Sequence, residues 1–123
     1  MDRFEDERGV IQDLLGPIDA VTEIFTRKGC IRGNHVHDET TQWAYVVSGR
    51  LLVAKRPWLN AHGKLYAGTG ENVYDPGMIS CEEPGVAHAW KAIEDTTVLV
   101  FTKGPRSGEN YESDVTRLEV PLL

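Results

Sequence analysis

The stretch Gly29-Cys30-Ile31-Arg32-Gly33-Asn34-His35-Val36-His37-Asp38-Glu39-Thr40-Thr41-Gln42 decides how the rest of the chain reads. In an extended strand, residues two apart point to the same face, so the imidazoles of His35 and His37 reach toward one point. A turn through Asp38-Glu39-Thr40-Thr41 lets the next strand bring Gln42 back alongside them. Far downstream, His88 opens another strand just after the turn Glu83-Pro84-Gly85. Three imidazoles and one carboxamide oxygen suit one borderline divalent metal ion, of which Zn, Ni, Mn and Fe are the candidates. An amide oxygen is neutral and a weaker donor than a carboxylate. The ion would therefore keep its full charge, fit to polarise a carbonyl or capture an anion. Alternatively, Gln42 stands behind a histidine and orients it by a hydrogen bond.

Outward from this segment the punctuation is that of an all-β protein. Twelve glycines and six prolines cut the 123 residues into short runs, none of which holds a helical period for long. The pattern predicts strands over Val10 to Leu15, Ala20 to Thr26, Cys30 to His37, Gln42 to Val47 and Leu51 to Arg56. It predicts further strands over Lys64 to Ala67, Met78 to Glu82, Ala87 to Ala92 and Thr96 to Thr102, and a weak one near Leu118 to Leu122. Turn signals separate them, among them Ser48-Gly49 and Asp75-Pro76-Gly77. So many short strands at this spacing predict a closed barrel or sandwich, and the length fits one domain over residues 1–123. The run Arg106 to Thr116 reads as a polar tail or a single short helix.

Composition excludes several classes. Nineteen acidic against thirteen basic residues give a net charge of −6, the wrong sign for a nucleic-acid binder, which must neutralise phosphates. No apolar run approaches the roughly 18 residues a membrane span requires. The charged start, Met1-Asp2-Arg3-Phe4-Glu5-Asp6-Glu7-Arg8, does not read as a secretory signal, so a cytoplasmic protein is expected. Cys30 and Cys81 sit in strand-like surroundings and read as two buried thiols rather than a disulfide.

The pattern Gly29-(five residues)-His35-Val36-His37-(four residues)-Gln42-(six residues)-Gly49 resembles the first motif of the cupin superfamily, with Gln42 where Glu is usual. Gly77-(five residues)-Glu83-Pro84-Gly85-(two residues)-His88 resembles the second, with Glu83 where Pro is usual and Ala92 where Asn is usual. The resemblance implies a double-stranded β-helix, the jelly-roll barrel of the cupins, with His35, His37, Gln42 and His88 as metal ligands. Within that superfamily, Ile31-Arg32-Gly33-Asn34-His35-Val36-His37 is similar to a segment of the sugar-nucleotide 3,4-ketoisomerases and 3,5-epimerases. A third likeness is to small cupins of capsular-polysaccharide biosynthesis, whose acidic ending resembles Tyr111-Glu112-Ser113-Asp114.

These relatives imply an isomerase or epimerase acting on a nucleotide-linked keto-sugar in polysaccharide biosynthesis. Such chemistry moves a proton next to a carbonyl, work for a neutral imidazole such as His35 or His37. Arg32 would stabilise the developing oxyanion or pair with a diphosphate. By strand parity Arg32 faces away from His35 unless Gly33 bends the strand; a structural ion pair is its other reading. Trp90 and Tyr45, and after them Trp43 and Trp58, are candidates to stack on a sugar or base, with core packing as the alternative. His62, at a Gly-flanked tip, reads as solvated. Two other functions stand beside the first: a metal-dependent iron dioxygenase, and a non-catalytic sugar- or metabolite-binding module. The resemblance also implies a homodimer, with Val10 to Leu15 as a swapped or paired strand.

Overall fold

The structure, a computed structural model, describes residues 3–59, 64–65, 70–104 and 114–123, with backbone alone at 58–59 and 64–65. Twelve strands lie among the described residues: β1 (Arg3–Asp6), β2 (Gly9–Gln12), β3 (Ala20–Thr26), β4 (Ile31–His37), β5 (Thr41–Ser48), β6 (Leu51–Leu59), β7 (Lys64–Leu65), β8 (Gly70–Tyr74), β9 (Ile79–Glu82), β10 (Val86–Ala92), β11 (Thr96–Lys103) and β12 (Val115–Arg117). One sheet runs β12-β4-β10-β6-β7, with β8 also paired to β6. The other runs β3-β11-β5-β9, and β1 with β2 forms a separate hairpin. The fold is all-β and antiparallel, the jelly-roll barrel expected.

Alternation explains why the sheets face each other. Along β11, Thr96, Val98, Val100 and Thr102 are buried while Thr97, Leu99 and Phe101 are only half so. A period of two puts one set inside and the other outside. The core joins Leu51, Val53 and Trp90 of the first sheet to Ala44, Val46, Val98 and Val100 of the second. The tight turn from β5 to β6 depends on Gly49, whose φ is 91°; a Cβ there would stand 2.3 Å from the Asp95 carbonyl oxygen. No side chain fits.

Several expectations shift. β1 and β8 form from charged, polar runs without an alternating signal, and β2 stops at Gln12 rather than Leu15. The last strand is β12, three residues before the predicted one. Beyond it, residues 118–123 are held without strand pairing by Asn34, whose Oδ1 accepts from the Leu122 amide at 2.8 Å while its carbonyl accepts from Leu118 at 2.9 Å. Both cysteines are free, but Cys30 is exposed and Cys81 half-buried, so the buried-thiol reading is corrected. β7 realises Lys64–Leu65 of the predicted Lys64 to Ala67. His62, residues 66–69, the tail 105–113 and the side chain of Trp58 lie outside the described residues. No helix among the described residues is long and apolar enough to cross a membrane.

Candidate metal centre

The site begins with a β-bulge. Across β4 and β10, His35 pairs with His88 and Arg32 with Trp90, yet two residues separate the first pair on β4 and only Ala89 separates them on β10. The extra residue restores parity: Arg32 and His35 now share the face they would otherwise divide. Gly33 (φ 91°) and Asn34 (φ 57°) make the bulge with left-handed backbone. At Gly33 the strands also approach closely, since a Cβ would meet the His88 carbonyl oxygen at 3.0 Å and the Ala89 Cα at 3.2 Å.

The result is one cavity of about 240 Å³ that joins Arg32, His35, Gln42, His88 and Trp90 in its lining, together with Thr22, Ile24 and Val100. Arg32 is anchored by its neighbours, its Nε donating to Thr26 Oγ1 at 2.9 Å and an Nη to the Phe25 carbonyl at 3.1 Å. The remaining guanidinium donors are available to a ligand. His37 is 1% exposed, and its Nδ1 donates to Asp114 Oδ2 at 3.2 Å; Asp114 is itself fixed by the Glu39 amide.

The three imidazoles form a compact group. Ring centroids are 4.8 Å apart for His35 and His37, 4.6 Å for His35 and His88, and 5.6 Å for His37 and His88. Their ligand atoms lie within 4.8 Å of one another, so the three can hold a metal ion. Zn–N bonds of about 2.0–2.1 Å in a tetrahedral site would set the nitrogens about 3.4 Å apart, so the three rings would have to draw together on loading. Burial, then the neighbouring His37 and Arg117, lower the His35 pKa to about 4. Burial, then His35 and His37, lower His88 to about 3. His37 is lowered by burial while Asp114 pulls the other way. All three are neutral at pH 7 with lone pairs to offer, and the His37–Asp114 bond is the outer support that metal-bound histidines usually have. The donor set fits a divalent ion.

The structure brings together Arg32, His35, Gln42, His88 and Trp90 on one cavity, with His37 beside them. It does not bring Tyr45. Ala44 and Val46 face the core, so Tyr45 between them faces outward, and it lines no part of the cavity. Trp43 shares that outward face.

Three inward polar residues escaped the sequence reading: Lys55, Glu82 and Asp114. Lys55 pairs across strands with His88, and Glu82 with Gln42. In β9 the apolar Ile79 and Cys81 face out while Ser80 and Glu82 face in, the reverse of what hydrophobic alternation predicts. For Asp114, the acidic ending was the only available signal.

No protein-family model matches the chain, and no curated protein matches its sequence. Solved structures do match. dTDP-4-dehydrorhamnose 3,5-epimerase of Sulfolobus tokodaii aligns at a TM-score of 0.70 and 19% identity over 94% of this chain and 72% of its own. A variant of the 3,4-ketoisomerase QdtA from Thermoanaerobacterium thermosaccharolyticum, in complex with TDP-4-keto-6-deoxyglucose, aligns at 0.68 and 17%, over 94% and 82%. The capsular polysaccharide assembling protein CapF of Staphylococcus aureus aligns at 0.67 and 19%, over 96% of this chain but only 32% of CapF. On its strand order, its paired sheets and these alignments, the chain has the cupin fold.

Proposed function

We propose that this cavity is the active site of an isomerase or epimerase for a nucleotide-linked keto-sugar, and that His35, His37, Gln42 and His88 hold one divalent ion in it. The observation that carries the reading is the Gly33-Asn34 bulge, because it aligns a guanidinium with two neutral imidazoles on one wall. Arg32 would pair with the anionic diphosphate through its planar fork. Trp90 would offer its face to the sugar ring. Bound there, Zn, Ni, Mn or Fe would supply Lewis-acid polarisation of the keto oxygen.

The depressed pKa values favour one of two roles for the histidines. A base whose conjugate acid lies near 4 accepts protons reluctantly, whereas a ligand must only be neutral. His35 therefore serves better as a ligand. If the protein works without an ion, His35, the most accessible of the three, is the proton carrier and His37 with Asp114 its support. Chelator treatment separates the two: a ligand role predicts loss of turnover, a base role predicts that turnover survives.

A thermal-shift series against dTDP- and UDP-linked sugars tests the substrate class, since a ligand that binds only the folded state raises the melting temperature. A rise with keto-sugar nucleotides, followed by conversion seen by NMR, is expected. No shift at saturation removes the sugar assignment. One observation favours a second reading. Among the described residues the cavity wall carries no carboxylate and no phenol to act as an acid, which suits a non-catalytic sugar-nucleotide-binding module: a melting shift without conversion.

The β1–β2 hairpin pairs with no other described strand and exposes Phe4, Val10 and Ile11. This supports a homodimer built through it. Two free thiols suit a reducing compartment, and we place the protein in the cytoplasm.

A further inference from the structure

A charged pair lies inside the barrel beside the histidines. Lys55 stands directly opposite His88 on the inner face, and Glu82 directly opposite Gln42. Their side chains meet across the gap between the sheets: Lys55 Nζ donates to the Cys81 carbonyl at 2.5 Å and lies 3.7 Å from Glu82 Oε1. Glu82 is fully buried, its Oε1 accepting from Ser80 Oγ at 2.6 Å. The buried Trp90 indole N–H is a further donor toward the Glu82 carboxylate. Burying the Glu82 carboxylate beside a part-exposed lysine is costly, and hydrophobic residues of like volume would often serve stability as well. Directly opposite residues on one face have Cβ atoms roughly 5 Å apart, close enough for each charge to act on the group it faces.

We propose that Lys55 and Glu82 are positioning residues that set the cation affinity of the histidine site with opposite sign. Lys55 holds the affinity down by repulsion, and Glu82 holds it up by attraction. The inference rests on the metal reading above. The pair makes a neutral-ligand site reversible, able to take an anionic substrate without trapping any passing cation, because a positive charge stays beside it.

The test is Co²⁺ binding followed by its visible absorption, at pH 8, where Glu82, pushed up to about 7 by burial, is ionised. Lys55→Met, which keeps the apolar stem, should bind Co²⁺ about tenfold more tightly than the wild-type chain. Glu82→Gln should bind about tenfold more weakly. Lys55→Arg should stay near the wild type, and Lys55→Gln carries the same expectation as the methionine variant if that one does not fold. A merely structural role predicts weakening in both Lys55→Met and Glu82→Gln, and that result, or no change in either, overturns the proposal. Absence of Co²⁺ uptake by the wild-type chain overturns the metal reading and this proposal together, and only that arm does so.

Discussion

In the proposed metal site, Gln42 would fix the charge of the donor set. With three neutral imidazoles and an amide, the proposed donor set has no formal negative charge of its own; the carboxylates beside it are Asp114, bonded to His37, and Glu82, opposite Gln42 across the strand pair. Replacing the amide oxygen by a carboxylate adds an anion at the coordination point. Gln42→Glu should tighten divalent-ion binding at least tenfold, read by competition with a chromophoric chelator, and should lower turnover by damping Lewis acidity. Unchanged affinity would place Gln42 outside the coordination shell, leaving it to orient a histidine. At this scale the sequence was most informative where spacing converged on a point, as in His35, His37 and His88. It was least so for Lys55 and Glu82, polar residues on strands that ordinarily face water.

At the scale of the element, the bulge of β4 carries the argument. Parity alone sets Arg32 against His35; one residue of slippage puts them on the same wall. The sequence Arg32-Gly33-Asn34 contained the signal, because Gly and Asn are the residues that enter left-handed backbone at least cost. What it could not show is that the strand partner passes within 3.0 Å of the position a Gly33 side chain would take. Gly33→Ala should therefore cost about 1–3 kcal/mol of stability in a denaturant titration. It should also weaken sugar-nucleotide binding, since straightening β4 turns Arg32 outward. A variant of wild-type stability and affinity would mean that the bulge positions nothing. β3 was legible to the residue, because Val21, Thr22, Ile24, Phe25 and Thr26 are β-branched or aromatic and the run lies between Gly16-Pro17 and Lys28-Gly29. β8, Gly-Glu-Asn-Val-Tyr, was not, since a polar edge strand owes its form to its neighbour β6 and not to its own pattern.

Across the whole molecule, the buried titratable groups make stability depend on pH. His35 and His88 have folded pKa values of about 4 and about 3 against an ordinary 6.5, so below 6.5 the unfolded chain binds protons that the native state refuses. Their stability contribution is complete above 6.5 and drains away as pH falls. Glu82, raised from 4.5 to about 7, acts in the opposite sense, holding a native-state proton between those values. Two histidines outweigh one carboxyl. Between pH 6.5 and 4.5 the metal-free protein should lose at most about 1.4 kcal/mol per pH unit, a ceiling because solvent screens the partly exposed His35. Urea titrations at pH 7 and pH 5 read this directly; equal stability at both would mean that the imidazoles are not held neutral by burial.

The convergence of His35, His37, Gln42 and His88 on one ion is tested most directly by anomalous diffraction from crystals grown with Zn²⁺, Ni²⁺ or Mn²⁺. A single strong anomalous peak is expected within about 2.0–2.2 Å of a nitrogen from each histidine, with the Gln42 oxygen completing the shell. A protein that takes up the ion stoichiometrically while the peak lies away from these residues would contradict it, as would crystals with no peak at all.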